Sequence, residues 1–497
     1  MSWLLRKRFL KWFLITLFVV LASTAFEIFY SRHVIFKESQ AAYDEITKHL
    51  DETDPGWRWE DLLAARKDVP DEKNCYTLQK EIMAIYPRKF DVAKGFARDN
   101  FDLENGLVDH HAPEPERYRT LPAPLPFEVL DWAGGYLGNR EKAIQLARAM
   151  ADRPEGRHPI QYNYDLLETN IQTVSDTRAI NFFLEWDVRI QVHNRRFELA
   201  VRDMKAIHNL ARSNEQDPLI ICMLIRLALN VRQAQLTQEI LAEATSKDAD
   251  LRTIQNLFEE DLTENIFAQA LRFERGFIWT MLRRIAEQDE SANNRIKSLP
   301  LEGFAGLNYR PYSLGDQARL LEVFENCLDI SNLPIDLVFD NANKYSEWFD
   351  SVVTKKTDYN RMRFLLTRVY APNFKRLAFA YLRWIAQLRT AIIGVACERY
   401  RLTKGKWPEN LDDLVPQFLS ESFEDPFTGQ PMVYKKVVDG IILYSVGENQ
   451  IDDGGDVLPK VEKKLSDPSP ENANVINPTD IGFRLWNPEL RGKAPSK

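Results

Sequence analysis

Fifteen residues in a row carry no charge, Trp12–Phe26 (WFLITLFVVLASTAF), directly after the basic cluster Arg6, Lys7, Arg8 and Lys11. Taken from Phe9 to Tyr30, the segment spans roughly 33 Å at the rise of an α-helix, enough to cross the hydrocarbon of a bilayer. Lys11 and Glu27 can extend their stems to the two interfaces, and Trp12, Phe29 and Tyr30 suit headgroup level. Positive charge on the N-terminal side keeps that end in the cytoplasm. The pattern therefore predicts a single-pass membrane protein whose bulk is extracytoplasmic, on the periplasmic side. The rival reading is a cleaved signal peptide, with Ala22-Ser23-Thr24-Ala25 as its small-residue site. Apolar and helix-compatible sequence continues past Ala25, which favours an uncleaved anchor over residues 1–37.

The 497 residues allow several domains, and 44% hydrophobic with 28% charged residues is enough apolar material for a sizeable core. Sixty-five basic against 73 acidic side chains leave a net charge of −8, which argues against a nucleic-acid partner. Cys75, Cys222, Cys327 and Cys397 are far apart and show no metal or redox spacing, so they read as buried free thiols.

Residues 38–371 read as a helical body, and the fold class as mainly α. Ser39–Leu50 predicts a stalk stopped by Asp54-Pro55-Gly56. Helices are expected at Trp57–Arg66, Asp71–Tyr86 and Phe127–Ala151, with a proline-dense linker over 109–126 before the last. Further on, Ile180–Val192, Arg195–Ala211, Pro218–Ala244 and Leu251–Arg284 each place apolar residues three or four apart. Their short connections predict antiparallel helical hairpins. Phe182, Trp186, Phe267, Phe273 and Trp279 read as core. Ser291–Asp350, interrupted by Pro300, Gly303, Gly306, Pro311 and Pro334, reads as an irregular cap.

From residue 372 the chain predicts a small α+β module reaching residue 486, with 487–497 as a tail. Phe374, Leu377, Tyr381, Trp384, Leu388, Ala391 and Val395 mark a long helix buried along one face, with Gly405 placed to end it. A short helix from Pro408 packs Leu411, Leu414, Val415 and Phe418 on it. Asp425-Pro426-Phe427-Thr428-Gly429-Gln430-Pro431 is turn chemistry, and Asp439-Gly440 joins Met432–Val437 to Ile441–Val446 as a β-hairpin.

The order of long helix, G-K-W-P, L-x-x-L-V-P, D-P-F-T-G-x-P, strand, Y-S-V-G and an acidic Gly-Gly loop resembles the C-terminal region of the major pseudopilin of type II secretion. Asp480-Ile481 and Trp486 match that family's later D-I and tryptophan. The resemblance covers Phe374–Trp486, under a quarter of the chain. It implies a calcium site in the acidic loop, with Asn449, Asp452, Asp453, Asp456 and Asp480 as ligands beside carbonyls near Ser445 and Gln450. This chain departs from the family in its longer loop, at Ile451, and in the polar insertion Val457–Pro478. Its long helix also lies behind a separate anchor and carries Lys375, Arg376, Arg383 and Arg389, which are unsuited to a membrane-embedded pilus core. The whole layout resembles large single-anchor bacterial envelope proteins of unknown function. They pair L-D-x-T-D-P-x-W-R, here Leu50–Arg58, with the same ending.

No H-E-x-x-H, G-x-S-x-G, phosphate loop or dinucleotide fingerprint occurs. His110-His111 has no third ligand spaced near it. Glu259-Glu260-Asp261 with Glu264 reads as a solvated acidic face, and Glu274-Arg275 as a buried pair. The expected role is non-enzymatic: a membrane-anchored protein that contacts protein partners in the cell envelope. The alternative is a hydrolase acting on envelope glycan through carboxylates brought together in the helical body.

Overall fold

A computed structural model of the protein describes residues 2–86, 113, 121–162, 172–287, 312–354, 363–462 and 474–493. The fold is mainly helical, with a small antiparallel sheet near the C-terminus. The N-terminal half contains α1 (Ser2–Thr53), α2 (Trp59–Ala64), α3 (Cys75–Ile85), α4 (Phe127–Gly138), α5 (Glu141–Ala149), α6 (Gln172–His193), α7 (Phe197–Arg212) and α8 (Ile220–Glu243). There follow α9 (Asp248–Asp261), α10 (Ile266–Ala286), α11 (Ser313–Ser331), α12 (Ile335–Phe349), α13 (Leu365–Tyr370) and α14 (Phe374–Lys404). The strands are β1 (Val433–Val437), β2 (Gly440–Ser445), β3 (Lys460–Glu462), β4 (Asn474–Ile476) and β5 (Ile481–Trp486).

The α1 backbone is helical without a break through both the apolar run and the expected stalk. Most side chains of residues 2–32, on which the anchor expectation rests, lie outside the described residues. Among the described residues no helix is long and apolar enough to cross a membrane. From Ile35 onward α1 belongs to the body, with Ile35, Ser39 and Leu50 buried where it packs along α11. Gly315 makes that approach possible, since a Cβ there would lie 2.6 Å from Ser39 Oγ.

Three expectations are corrected. Residues 313–349 are two regular helices, not an irregular cap. Pro334 stands at the start of α12, and the other breakers precede residue 312, outside the described residues. Phe127–Ala151 breaks at Asn139-Arg140 into α4 and α5. Leu251–Arg284 is likewise two helices, because the Asn265 side chain accepts from Ala268 N (3.0 Å) and starts α10 afresh.

Two apolar cores meet on α8, which is buried nearly all round as a central helix must be. Cys222, Ile225, Leu229 and Leu236 join α2–α7 in one core. Met223, Leu227, Ala234 and Leu241 join α9–α14 and the sheet in the other. The second core runs without interruption across residue 371, so α14 packs among α8, α9 and α12 as well as under the strands. All four cysteines are free and buried, as their spacing suggested.

The α14 helix ends at Gly405 in the left-handed region (φ +77°). The hairpin forms where expected, but its turn lies one residue earlier: Val437 pairs with Gly440, already in β2, which leaves Val438-Asp439 as the two loop residues. The sheet is larger than a hairpin: β5 pairs antiparallel with β2 in the order β1-β2-β5, setting Leu443 against Phe483. Phe483 lies on α14 at Gly394, where a Cβ would stand 2.5 Å from its ring. Gly394→Ala should therefore destabilise the fold by about 1–3 kcal/mol through overpacking. Gly134→Ala, in an open and exposed position on α4, should stabilise by up to about 1 kcal/mol through helix propensity. Denaturant midpoints of the two variants check both signs.

Candidate functional site

The motif Leu50–Arg58 forms the joint between α1 and the body. Its first acid, Asp51, accepts hydrogen bonds from Trp57 Nε1 (3.0 Å) and from both terminal nitrogens of Arg58. The second, Asp54, accepts from Arg272 Nε (2.9 Å) and from Arg275, whose other arm reaches Glu325 on α11. Gly56, at φ +80°, turns the chain and offers its carbonyl to Arg272 Nη2 (3.2 Å). Trp57 is fully buried and meets Trp279 edge-on at 4.7 Å between ring centroids. Its backbone lies against Gly276, where a Cβ would come within 2.9 Å of the Trp57 carbonyl.

Arg275 is fully buried, so it needs these partners; an unpaired guanidinium there would cost several kcal/mol. Burial pushes the Asp54 carboxyl up, but the guanidiniums of Arg272 and Arg275 outweigh it and hold the group below the usual range. Burial wins at Glu325, which is raised despite Arg275. Arg275 does not pair with Glu274, as the sequence suggested, because adjacent helical residues face different ways.

The acidic loop folds back on β5. Asp480 is fully buried, and its Oδ2 accepts from Gly455 N (2.8 Å) and Asp456 N (3.1 Å). Among the described residues its Oδ1 forms no hydrogen bond, and burial raises the carboxyl even against the nearby amides of Gly455, Asp456 and Asp453. Asp452 accepts from Tyr444 Oη (2.6 Å), Gly454 N (2.8 Å) and Lys435 Nζ (3.1 Å), and the tyrosine bond leads in holding it low. Asp456 pairs with Lys460 at 2.7 Å. Asn449 donates to Asp453 Oδ2 (2.9 Å), while its own oxygen accepts from Ile451 N. The loop thus brings the five residues into one neighbourhood, but two of the carboxylates face lysines and not a common centre. Among the described residues no group of three or more His, Cys, Asp or Glu side chains is arranged to hold a metal ion. His110 and His111 lie outside the described residues.

One organising residue was not singled out in the sequence. Asp425 is buried and accepts from Phe427 N, Ser445 Oγ and Val446 N, each at 2.9 Å. It ties the D-P-F-T-G turn to the end of β2, while Gln450 Nε2 donates to the Phe427 carbonyl (2.7 Å) and holds the loop from the other side. An aspartate two residues before a backbone N–H is an ordinary turn signal, and the turn was read for that alone.

The acidic run on α9 is only partly a solvated face. Asp261 is fully buried, accepts from Arg226 Nη2 (2.8 Å) and faces His208 Nδ1 at 3.2 Å. Burial opposes the charge on His208, yet Asp261 and Glu260 prevail and raise its pKa. A close carboxyl pair also exists, Asp187 with Asp203, both buried. Burial and the neighbouring Asp187 push Asp203 well up. Arg148 spans the two, at 2.6 Å from Asp187 and 3.2 Å from Asp203, and Gln191 closes on Asp187 (2.6 Å). The arrangement locks α5, α6 and α7 together.

No family model, curated protein or solved structure matches the chain.

The joint makes a graded prediction. Asp54→Asn, which deprives the buried Arg275 of one carboxylate, should cost about 2–3 kcal/mol. Asp51→Asn removes a more exposed pair and should cost about 1 kcal/mol or less. Parallel denaturation curves give the ranking, and equal losses would contradict it.

Proposed function

We propose that this is a membrane-anchored, extracytoplasmic protein of non-enzymatic role, whose helical body presents a pseudopilin-like C-terminal module to a protein partner in the cell envelope. The observation that carries the reading is α1 itself. It is one helix from Ser2 to Thr53, and its second half is packed into the body and fastened at Asp51 and Asp54. A removable leader has no need of such continuity. The motif Leu50–Arg58 acquires a physical task in this reading, which is to hold the body rigidly on its anchor. The glycan-hydrolase alternative draws less support, since the Asp187–Asp203 pair is filled by Arg148.

Fractionation tests the reading. Full-length protein should stay in the membrane pellet after alkaline extraction, keep residues 1–37, and be digested by protease added from the periplasmic side. A soluble product beginning at Phe26 would sink it.

Calcium in the acidic loop belongs to the same proposal. Its support is Asp480 Oδ1, a buried carboxylate oxygen that has no partner among the described residues. Calcium takes six to eight oxygens, so Asp453, Asn449, Asp452 and Asp456 would have to turn toward Asp480, the last two away from their exposed lysines. Millimolar calcium should raise the melting temperature by a few degrees over chelator, and Asp480→Asn should abolish the difference. An unchanged melt removes calcium from the reading.

A further inference from the structure

A cavity of about 350 Å³ opens where the start of α8 and the middle of α10 face the link between α13 and α14. That volume lies within the range of small-molecule sites. Ile220, Ile278, Pro372 and Leu377 give it apolar walls. Two charged residues line it from different elements, Glu274 from α10 and Arg376 from α14.

Glu274 is the odd residue of its helix. One carboxylate oxygen accepts from Ile220 N at 3.2 Å, in the first turn of α8. Among the described residues it forms no ion pair, although its neighbour Arg275 has two. Capping one N–H explains one oxygen only. Arg376 is exposed and, among the described residues, also lacks an acidic partner. The cavity therefore holds one acid and one base, neither of them in an ion pair among the described residues, together with apolar walls.

We propose that the cavity binds a small zwitterion with an apolar body, its ammonium on Glu274 and its anionic end on Arg376. Because the two protein charges stand on different helices, the ligand carries its own charges at separate ends and fills the gap with methylenes. A carboxylate with no cation beside it among the described residues gains a charge-assisted hydrogen bond from an incoming ammonium. Burial raises Glu274 to about 7, so its charge changes near neutral pH. The groups acting on it are the Ile220 N–H and the Cys222 thiol, which burial keeps protonated, and Tyr370 and Arg376 share the cavity lining with it.

Three probes with similar apolar bodies separate the contributions: 6-aminohexanoate, hexylamine and hexanoate, titrated calorimetrically into the full chain in lipid nanodiscs. The expected result is 6-aminohexanoate binding at least tenfold tighter than either singly charged probe. Glu274→Gln should weaken 6-aminohexanoate and hexylamine about tenfold and leave hexanoate unchanged. Arg376→Gln, at an exposed position that leaves folding intact, should weaken 6-aminohexanoate and hexanoate and spare hexylamine. Affinity for 6-aminohexanoate should rise between pH 6 and pH 8 as Glu274 ionises while the ammonium stays charged, and Glu274→Gln should flatten that slope. The proposal is overturned if none of the three probes binds, if hexylamine or hexanoate binds as tightly as 6-aminohexanoate, or if neither substitution alters affinity.

Discussion

Helix α14 is buried on more than one face, and it carries charges that burial would otherwise forbid. Each of those charges holds a different part of the molecule. Arg399 reaches Asp248 (2.9 Å) and Gln255 (3.0 Å) on α9. Glu398, fully buried, takes Arg401 from its own helix and both terminal nitrogens of Arg491 at 2.7 Å. Arg389 donates to the Glu424 carbonyl (2.6 Å), and Arg383 pairs with Glu448 in the loop after β2. A carboxylate buried this deeply is tolerable only with bidentate partners, so Arg491 cannot leave without taking one of the two away. The segment from 487, which reads as a tail, is bolted through Arg491, and Gly492 N adds a bond to the Ala242 carbonyl (3.0 Å). Two of the basic residues that make α14 unfit for a lipid environment, Arg383 and Arg389, also fasten it to the module around it.

The same logic connects the two cores. Apolar burial alone would let the α2–α7 layer slide on the α9–α14 layer, because α8 is apolar toward both. Buried ion pairs remove that freedom. Arg189 joins α6 to Glu239 of α8 at 2.9 Å, and Arg226 joins α8 to Asp261 of α9 at 2.8 Å. Such pairs add little net stability over apolar replacements, but breaking one side is costly, which makes them devices of register more than of strength.

Much of the local structure was legible because it is written in single residues. Gly405 ends α14, and the Asp439-Gly440 signal marks the hairpin, although the turn itself closes one residue earlier at Val438-Asp439. The break at residues 262–265 was hidden because apolar spacing continues through Leu257, Phe258, Leu262 and Ile266, while the decisive event is one amide, Asn265, capping α10. The strand β5 was missed for a related reason: six residues after a polar insertion show too little alternation, and their partner lies far back in sequence at β2. The ionic clusters were not legible at all. Asp261 looks like one more acid on a wet helix until His208 and Arg226 arrive from two other helices. Helical period reports which face is apolar; it carries no information on which distant residue will meet a charge.

The unbroken α1 also limits how the body is held under the proposed membrane reading. Tyr30 closes the apolar segment, and Ile35 is already buried against the body. Five residues of helix span about 7–8 Å, too short and too stiff for a flexible stalk. The body would then sit close to the headgroups, with Thr53 about 35 Å farther along the same axis. The Asp54–Arg272–Arg275 joint lies at that far end, where it gives the greatest leverage against tilting of the body on α1. Packing of Ser39 on Gly315 would resist the same motion nearer the anchor. A helix fixed at two points about 20 Å apart cannot swing, so whatever surface the C-terminal strands present is held at a set height and orientation.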